Sequence, residues 1–272
     1  MKMAATWTST LGRVAFINCD PLYHALPSHW NVLAAPPSWL TGHVLRRDCI
    51  LAPIPAADYA KHQDELVLLP DIGIGSQGEV GSVLLFGAVP IESMETIALP
   101  TDSATSVALL KHLLAKRGHA MSYVSTGPDY ESMMAMADGA LLIGDRALEA
   151  AREFPEMVQM DLGEAWMEDE GLPMIFGVFV ARADTPPALV REAHAVLLEN
   201  LIQFEDNHGK REQVIEWSME KSGLTHDRLD RYYGEVFNRL NQHHLDGLFR
   251  FLSQACGMIE NPRFAWAADA VV

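Results

Sequence analysis

The sequence predicts an α/β protein of two lobes, each a wound mixed sheet with flanking helices, with a ligand cleft between the lobes. Three observations carry this reading. Short apolar, β-branched segments alternate with helical patterns through the first part of the chain. The alternation begins afresh after Pro90. Two longer apolar strands, 82–89 (SVLLFGAV) and 174–181 (MIFGVFVA), read as an outward and a return crossing. The second lobe, residues 96–172, is then inserted into the first, residues 1–95 plus 173–272, which includes the C-terminal helices.

The segment 12–18 (GRVAFIN) reads as a buried parallel strand. It ends at Asn18-Cys19-Asp20-Pro21, where Pro21 suits the first position of a helix over PLYHAL. Asn18 thus falls at the C-terminal end of a first strand, where ligand crevices lie in open α/β sheets. The competing reading is that Asn18 or Asp20 only caps the helix. WNVLAAPPSWL gives a second strand broken at Pro36-Pro37, with Ser38 as candidate cap of a helix through Leu45. A strand over 49–52, a proline-marked turn and a short helix follow, then the strand LVLLP. DIGIGSQGEVG is Gly-rich and polar, and is expected to be a loop. It is neither a GxGxxG opening a helix nor a Walker loop, so a nucleotide reading fails. Ser82 opens the next strand beside it, and no GxSxG elbow surrounds it to support a triad hydrolase.

A strand at 96–99 leads into TDSATSVALL (101–110), where Ser103, Thr105 and Ser106 fall at the start of a helix. A helix start offers unpaired backbone N–H groups and the positive end of the dipole, and clustered hydroxyls add donors for a carboxylate. Alone, the stretch reads first as an ordinary N-cap with two bystander hydroxyls. MSYVS is a strand and YESMMAMAD a short helix. ALLIGDRALEAARE is a strand at 140–143, a Gly-Asp turn and a helix. Gly144 permits close backbone approach at that junction, and Asp145 reads first as an N-cap. MVQMDLG is a last small strand, and the acidic AWMEDEGLP is expected to be a solvated loop. Beyond Pro186-Pro187 the chain reads as helices whose Tyr, Phe, Leu and Met stripes are core packing.

Composition narrows the function. With 36 acidic against 20 basic residues the formal charge is −16, and no Lys/Arg stripe exists to neutralise phosphates, which argues against a nucleic-acid partner. No apolar run approaches a membrane span, and mean hydropathy is +0.04. The N-terminus, MKMAATWTST, has one Lys and no long apolar core, so a signal peptide is not expected and the cytoplasm is the expected compartment. Three scattered cysteines, Cys19, Cys49 and Cys256, form no disulfide framework or CxxC site, which suits a reducing compartment. His243 and His244 are adjacent, and neighbours on a helix point about 100° apart, so no metal site is expected.

Taken in order, RVAFINCDPLYHAL, LLPDIGIGSQGEVGSVLLF, SATSVALLKHLL, ALLIGDRAL, and DLGEAW followed by GLPMIFGVFVARAD resemble the chorismate dehydratases of the futalosine route to menaquinone. The likeness runs from Arg13 to Asp184 and more loosely beyond. Two positions depart from such sequences: Ala104 stands where Arg is frequent, and Glu170 where Thr is usual. The resemblance implies a type II periplasmic-binding-protein fold and a cofactor-free lyase. Its substrate is chorismate and its product 3-[(1-carboxyvinyl)oxy]benzoate, formed by loss of water. It implies that Asn18 and Ser82 act on the reacting group, and that Ser103, Thr105 and Ser106, with Gly144 and Asp145, bind substrate. An E1cB-like path is expected, with the ring carboxylate activating the C3 proton and the enolpyruvyl carboxylate as candidate base. Two alternatives stand beside it: the 1,4-dihydroxy-6-naphthoate-forming enzyme of the same pathway, and a non-catalytic receptor for a small carboxylate. Monomer or homodimer is left open.

Overall fold

The computed structural model describes residues 6–266, so the first five residues of the N-terminal stretch lie outside the described residues. The first part of the chain forms β1 (Thr10–Val14), α1 (Asp20–Tyr23), β2 (Asn31–Ala35), α2 (Pro37–Leu45), β3 (Leu51–Pro55), α3 (Ala56–Lys61) and β4 (Leu66–Ser76). The middle forms β5 (Val83–Gly87), β6 (Thr96–Pro100), α4 (Ala104–Lys116), β7 (Ser122–Thr126), α5 (Tyr130–Met136), β8 (Gly139–Ile143), α6 (Asp145–Glu153), β9 (Val158–Asp161) and α7 (Leu162–Glu170). The return strand β10 (Met174–Arg182) precedes α8 (Pro187–Asp206), α9 (His208–Ser222), α10 (His226–Glu235), β11 (Val236–Arg239) and α11 (Gln242–Gln254).

Two main sheets result. One has the order β11-β4-β10-β3 and is antiparallel throughout. The other has the order β7-β6-β8-β5-β9, with β6 parallel to β7 and β8, and β5 antiparallel to both of its neighbours. A parallel pair, β1-β2, stands beside the first sheet. Placing 82–89 with the first lobe is corrected by the pairing: β5 lies inside the five-stranded sheet, between β8 and β9. Its unbroken apolar run follows from burial on both faces. Val83 and Leu85 join the main core, whereas Leu84 and Phe86 pack with Met133, Ala140, Leu142 and Ala147 on the other side.

Other local differences have physical causes. The strand expected over 12–18 ends at Val14, and residues 17–19 form a 3-10 turn instead. Much of the Gly-rich stretch expected as a loop, 71–76, continues β4 in the middle of a sheet. A Cβ at Gly75 would lie 2.7 Å from Ile175 Cδ1 and from the Phe237 ring, so glycine there serves close strand packing. The acidic segment expected as a solvated loop is the helix α7. Its charges are matched by neighbouring helices: Arg117 pairs with Glu168 and Asp169, and Glu170 pairs with Lys116 and Arg250. The Glu170 side chain is only 5% exposed.

The start of α7 rests on Asp161. Its carboxylate accepts the Gly163 and Glu164 N–H groups at 2.9 and 3.1 Å, and those of Gly81 at 2.8 Å and Val80 at 3.1 Å from the loop before β5. One side chain therefore caps a helix and ties down the link between the sheets. Asp161→Ala should cost about 2–4 kcal/mol, the sum of a lost cap and unmatched buried donors. Urea unfolding checks this, and a loss below about 0.5 kcal/mol would contradict the assignment.

Candidate active site

A cleft opens between the two sheets. Phe16, Pro55, Ile143 and Phe176 make much of its wall apolar. Asn18 and Ser82 contribute polar groups, and Ser103, Ser106 and Gly144 contribute from elsewhere on the wall. Among the described residues no charged side chain lines it. Five of the seven site residues expected from the sequence are thus brought together.

The other two lie beside the cleft, at contacts joining the sheets. The Thr105 hydroxyl accepts the Ala57 N–H at the start of α3, at 3.1 Å. The Asp145 carboxylate accepts the Ile17 N–H at 3.1 Å. Ser38, expected to cap its own helix, makes no such bond in α2. Its hydroxyl accepts the Ala104 N–H at 3.3 Å, and its own N–H donates to the Asp102 carbonyl at 3.2 Å. The N-terminus of α4 is therefore held from the opposite sheet. Ser103 Oγ donates to Ser106 Oγ at 2.8 Å, leaving the Ser106 hydroxyl proton and the first-turn N–H groups of Thr105 and Ser106 as donors.

Asn18 sits in the 3-10 turn that follows β1, and its buried Oδ1 has no hydrogen-bond partner. The turn is fixed from behind. Tyr233 Oη donates to the Ile17 carbonyl at 3.1 Å. Asp20 is fully buried, ion-paired with Arg13 and Lys221, and accepts Ser218 Oγ at 2.7 Å. Ser82 is fixed similarly: Tyr232 Oη donates to Ser82 Oγ at 3.0 Å, and the Gly144 N–H donates to the Ser82 carbonyl at 2.7 Å. Burial holds the Tyr232 phenol far above its ordinary range, so it stays a donor and the Ser82 proton is directed elsewhere. Gly144 has φ +62°, and a Cβ there would lie 2.6 Å from the Phe16 ring. The expected close approach is real, and only glycine meets it.

Sequence reasoning missed Asp20 as an anchor, and it missed Tyr232 and Tyr233 altogether. Both tyrosines lie in RYYGE on α10 and follow the spacing of core aromatics, which carries no local sign of a polar task. The cleft presents an amide, three hydroxyls and backbone donors around an uncharged hollow. It can orient a small oxyanionic molecule, and it offers no side-chain carboxylate or imidazole on its wall as a base. Among the described residues no group of three or more His, Cys, Asp or Glu gathers to hold a metal ion, and no helix is long and apolar enough to cross a membrane.

Asp145 titrates within an accessible range. Burial pushes its carboxyl up to about 6, the Ile17 N–H opposes the rise, and the negative charge of Asp20 adds to it. Because the folded value exceeds the unfolded one, the folded state binds the proton more tightly, and stability falls as pH rises from about 4 to about 6. Asp145→Asn keeps an acceptor for Ile17 without that charge. Its stability relative to wild type should rise across this window by on the order of 1–3 kcal/mol and level off above it. Urea titrations of both proteins from pH 4 to 7 measure the difference, and a flat difference would refute it.

The description "Menaquinone biosynthesis" belongs to a family whose model matches residues 9–256. A chorismate dehydratase of Thermus thermophilus is 32% identical, over 93% of this chain and 97% of that one. A 1,4-dihydroxy-6-naphtoate synthase of Streptomyces coelicolor is 27% identical, over 61% of this chain and 60% of that one. Among solved structures, the alkanesulfonate-binding protein SsuA from Xanthomonas axonopodis pv. citri, bound to MOPS, superposes with a TM-score of 0.66 at 14% identity, covering 96% of this chain and 98% of that one. A Candida albicans protein described as having the generic periplasmic-binding-protein fold gives 0.64 at 10% identity, covering 95% and 92%. The fold is that of the periplasmic binding proteins, and the chain belongs to the menaquinone biosynthesis family.

Proposed function

We propose that this protein is a chorismate dehydratase, a hydro-lyase that converts chorismate to 3-[(1-carboxyvinyl)oxy]benzoate and water. The observation that carries the reading is the near end-to-end match to the Thermus thermophilus enzyme. The cleft supports it, because it brings Asn18, Ser82, Ser103 and Ser106 around one hollow. The naphthoate-synthase alternative has weaker support, since that similarity is lower and spans about three-fifths of each chain.

In this reading one substrate carboxylate lies against Ser103, Ser106 and the N–H groups opening α4, where the helix dipole favours an anion. The ring carboxylate activates the C3–H through the conjugated diene. Loss of that proton gives a dienediolate, whose charge is stabilised by fixed donors. Expulsion of the C4 hydroxyl, which leaves as water with the proton taken from C3, then makes the ring aromatic. The Ser82 hydroxyl donates to the developing oxyanion or the departing oxygen. The open Oδ1 of Asn18 accepts from the substrate hydroxyl and so sets its orientation. The substrate's enolpyruvyl carboxylate takes the C3 proton, in keeping with a cleft wall that has no basic side chain.

Incubation with chorismate, followed by absorbance loss and mass-spectrometric identification of the product, tests the reading. A benzoate lighter than chorismate by one water is expected, whereas binding without turnover would favour a receptor. Asn18→Ala and Ser82→Ala should each lower kcat/KM by about 100-fold with unchanged melting curves, as for other lost transition-state donors. Full activity in both would remove them from the chemistry. Tyr232→Phe deletes the bond that orients Ser82 and should lower kcat by about tenfold with KM little changed. A rise in KM alone would argue against that positioning role.

A further inference from the structure

The cleft poses a charge problem. The wall carries no charged side chain among the described residues, and the whole chain is formally −16. A dicarboxylate entering such a hollow loses hydration that hydroxyls and N–H groups replace only in part. Two nearby cations, Arg13 and Lys221, are committed to the buried Asp20 behind the Asn18 turn.

Arg146 is placed differently. It lies two residues after Gly144, in the first turn of α6, and its guanidinium centre sits 5.3 Å from the centroid of the Phe16 ring. Gly144 and Phe16 both line the cleft. Its Nη2 pairs with Asp102, and Asp102 immediately precedes Ser103, another cleft residue. The pair is incompletely satisfied. Arg146 Nε and Asp102 Oδ1 are both buried without a hydrogen-bond partner, and the Arg146 side chain as a whole remains 34% exposed. A guanidinium with several fixed donors can engage a carboxylate by one edge while another edge holds its partner.

We infer that Arg146 is the cationic anchor for a substrate carboxylate, held at the cleft by Asp102 and Phe16 and shared between Asp102 and the bound anion. The ligand class is a small dicarboxylate, so the inference rests on the proposed dehydratase function for the identity of the substrate. Asp102 plays an opposing part: it places the guanidinium and competes with the ligand for it. Binding therefore adds a second carboxylate to a guanidinium that Asp102 already holds, and before binding Asp102 keeps that cation compensated beside an apolar wall.

The two members of the pair make the test decisive. If the ion pair serves only the fold, Arg146→Gln and Asp102→Asn should act alike. If Arg146 serves the substrate, they should act in opposite directions. Arg146→Gln should raise KM for chorismate by about 10- to 100-fold with a smaller change in kcat, and Arg146→Lys should recover part of the loss. Asp102→Asn should lower KM by about threefold or more. Calorimetric titration with chorismate and with isophthalate gives the same comparison without turnover, and melting curves report the shared structural cost. Variants that shift affinity in the same direction, or leave it unchanged, would overturn the assignment. If the wild type binds chorismate but does not convert it, the dehydratase reading fails while the binding comparison among the four proteins still decides Arg146. A wild type that binds neither compound would overturn both.

Discussion

The neutralisation of Asp20 is the interaction on which the site most depends. An ionised carboxylate removed from water is costly unless paired and hydrogen-bonded, and deleting one partner of such a group typically costs about 3–5 kcal/mol. Asp20 is fully buried, and its partners come from distant parts of the chain: Arg13 in β1, and Ser218 and Lys221 in α9. Both cations also lie over the Trp217 ring, with Arg13 at 5.3 Å and Lys221 at 3.4 Å from its centroid. Ser218 Oγ is in turn 2.6 Å from Tyr233 Oη, and Tyr233 holds the Ile17 carbonyl. The turn that displays Asn18 is thus clamped by helices more than 190 residues later in the chain. The neighbouring Tyr232 holds Ser82. Two adjacent tyrosines on α10 therefore set the two polar groups proposed to act on the substrate.

Several polar contacts between the two halves gather around the cleft. Ser38 holds the start of α4, Thr105 meets Ala57, Asp145 meets Ile17, and Gly144 bonds Ser82 beneath the Phe16 ring. Most use a backbone N–H at a helix start or turn, where no intrahelical acceptor exists. Such bonds are directional, and each contributes only about 0.5–1.5 kcal/mol, so together they fix geometry more than they add stability. Away from the cleft, Glu170 joins α7 to α4 and α11 through Lys116 and Arg250. Glutamate at this position is thereby a link between separate helices, which a threonine would be too short to make.

Much of the architecture was legible because it is written in local patterns. The alternation of strands and helices, the break after Pro90, the return strand and the hydroxyl-rich start of α4 follow from periodicity and turn chemistry. The errors fall where long-range packing overrides a local signal. Gly73 and Gly75 look like loop residues until Leu240, Phe237 and Ile175 are brought against them. The acidic run 168–170 looks solvated until Arg117, Lys116 and Arg250 surround it. The site divides in the same way. Asn18, Ser82, Ser103, Ser106 and Gly144 sit at strand ends and helix starts, which point toward a cleft from sequence alone. Thr105 carries the same local signal as Ser103 and Ser106, yet one helical step turns it to Ala57. Asp20, Tyr232 and Arg146 depend on partners far away in the sequence, and no local pattern names those partners.

An uncharged cleft has a consequence for the proposed chemistry. A carboxylate is a weak base in water, and its use to remove a carbon-bound proton at neutral pH demands an environment that raises its basicity. Burial among apolar groups does this for any carboxyl, and burial likewise raises the Asp145 carboxyl beside the cleft. The same environment would act on the substrate's enolpyruvyl carboxylate. Donors gathered at the other carboxylate would stabilise the dienediolate charge and leave the first one basic. A strong cation at both ends would undo this by making both carboxylates poor bases. The shared guanidinium inferred for Arg146 on one side, hydroxyls and an amide elsewhere, and no protein base on the wall would together form a consistent arrangement. In the proposed mechanism the protein holds the substrate and polarises it unevenly, and the substrate carries its own proton acceptor.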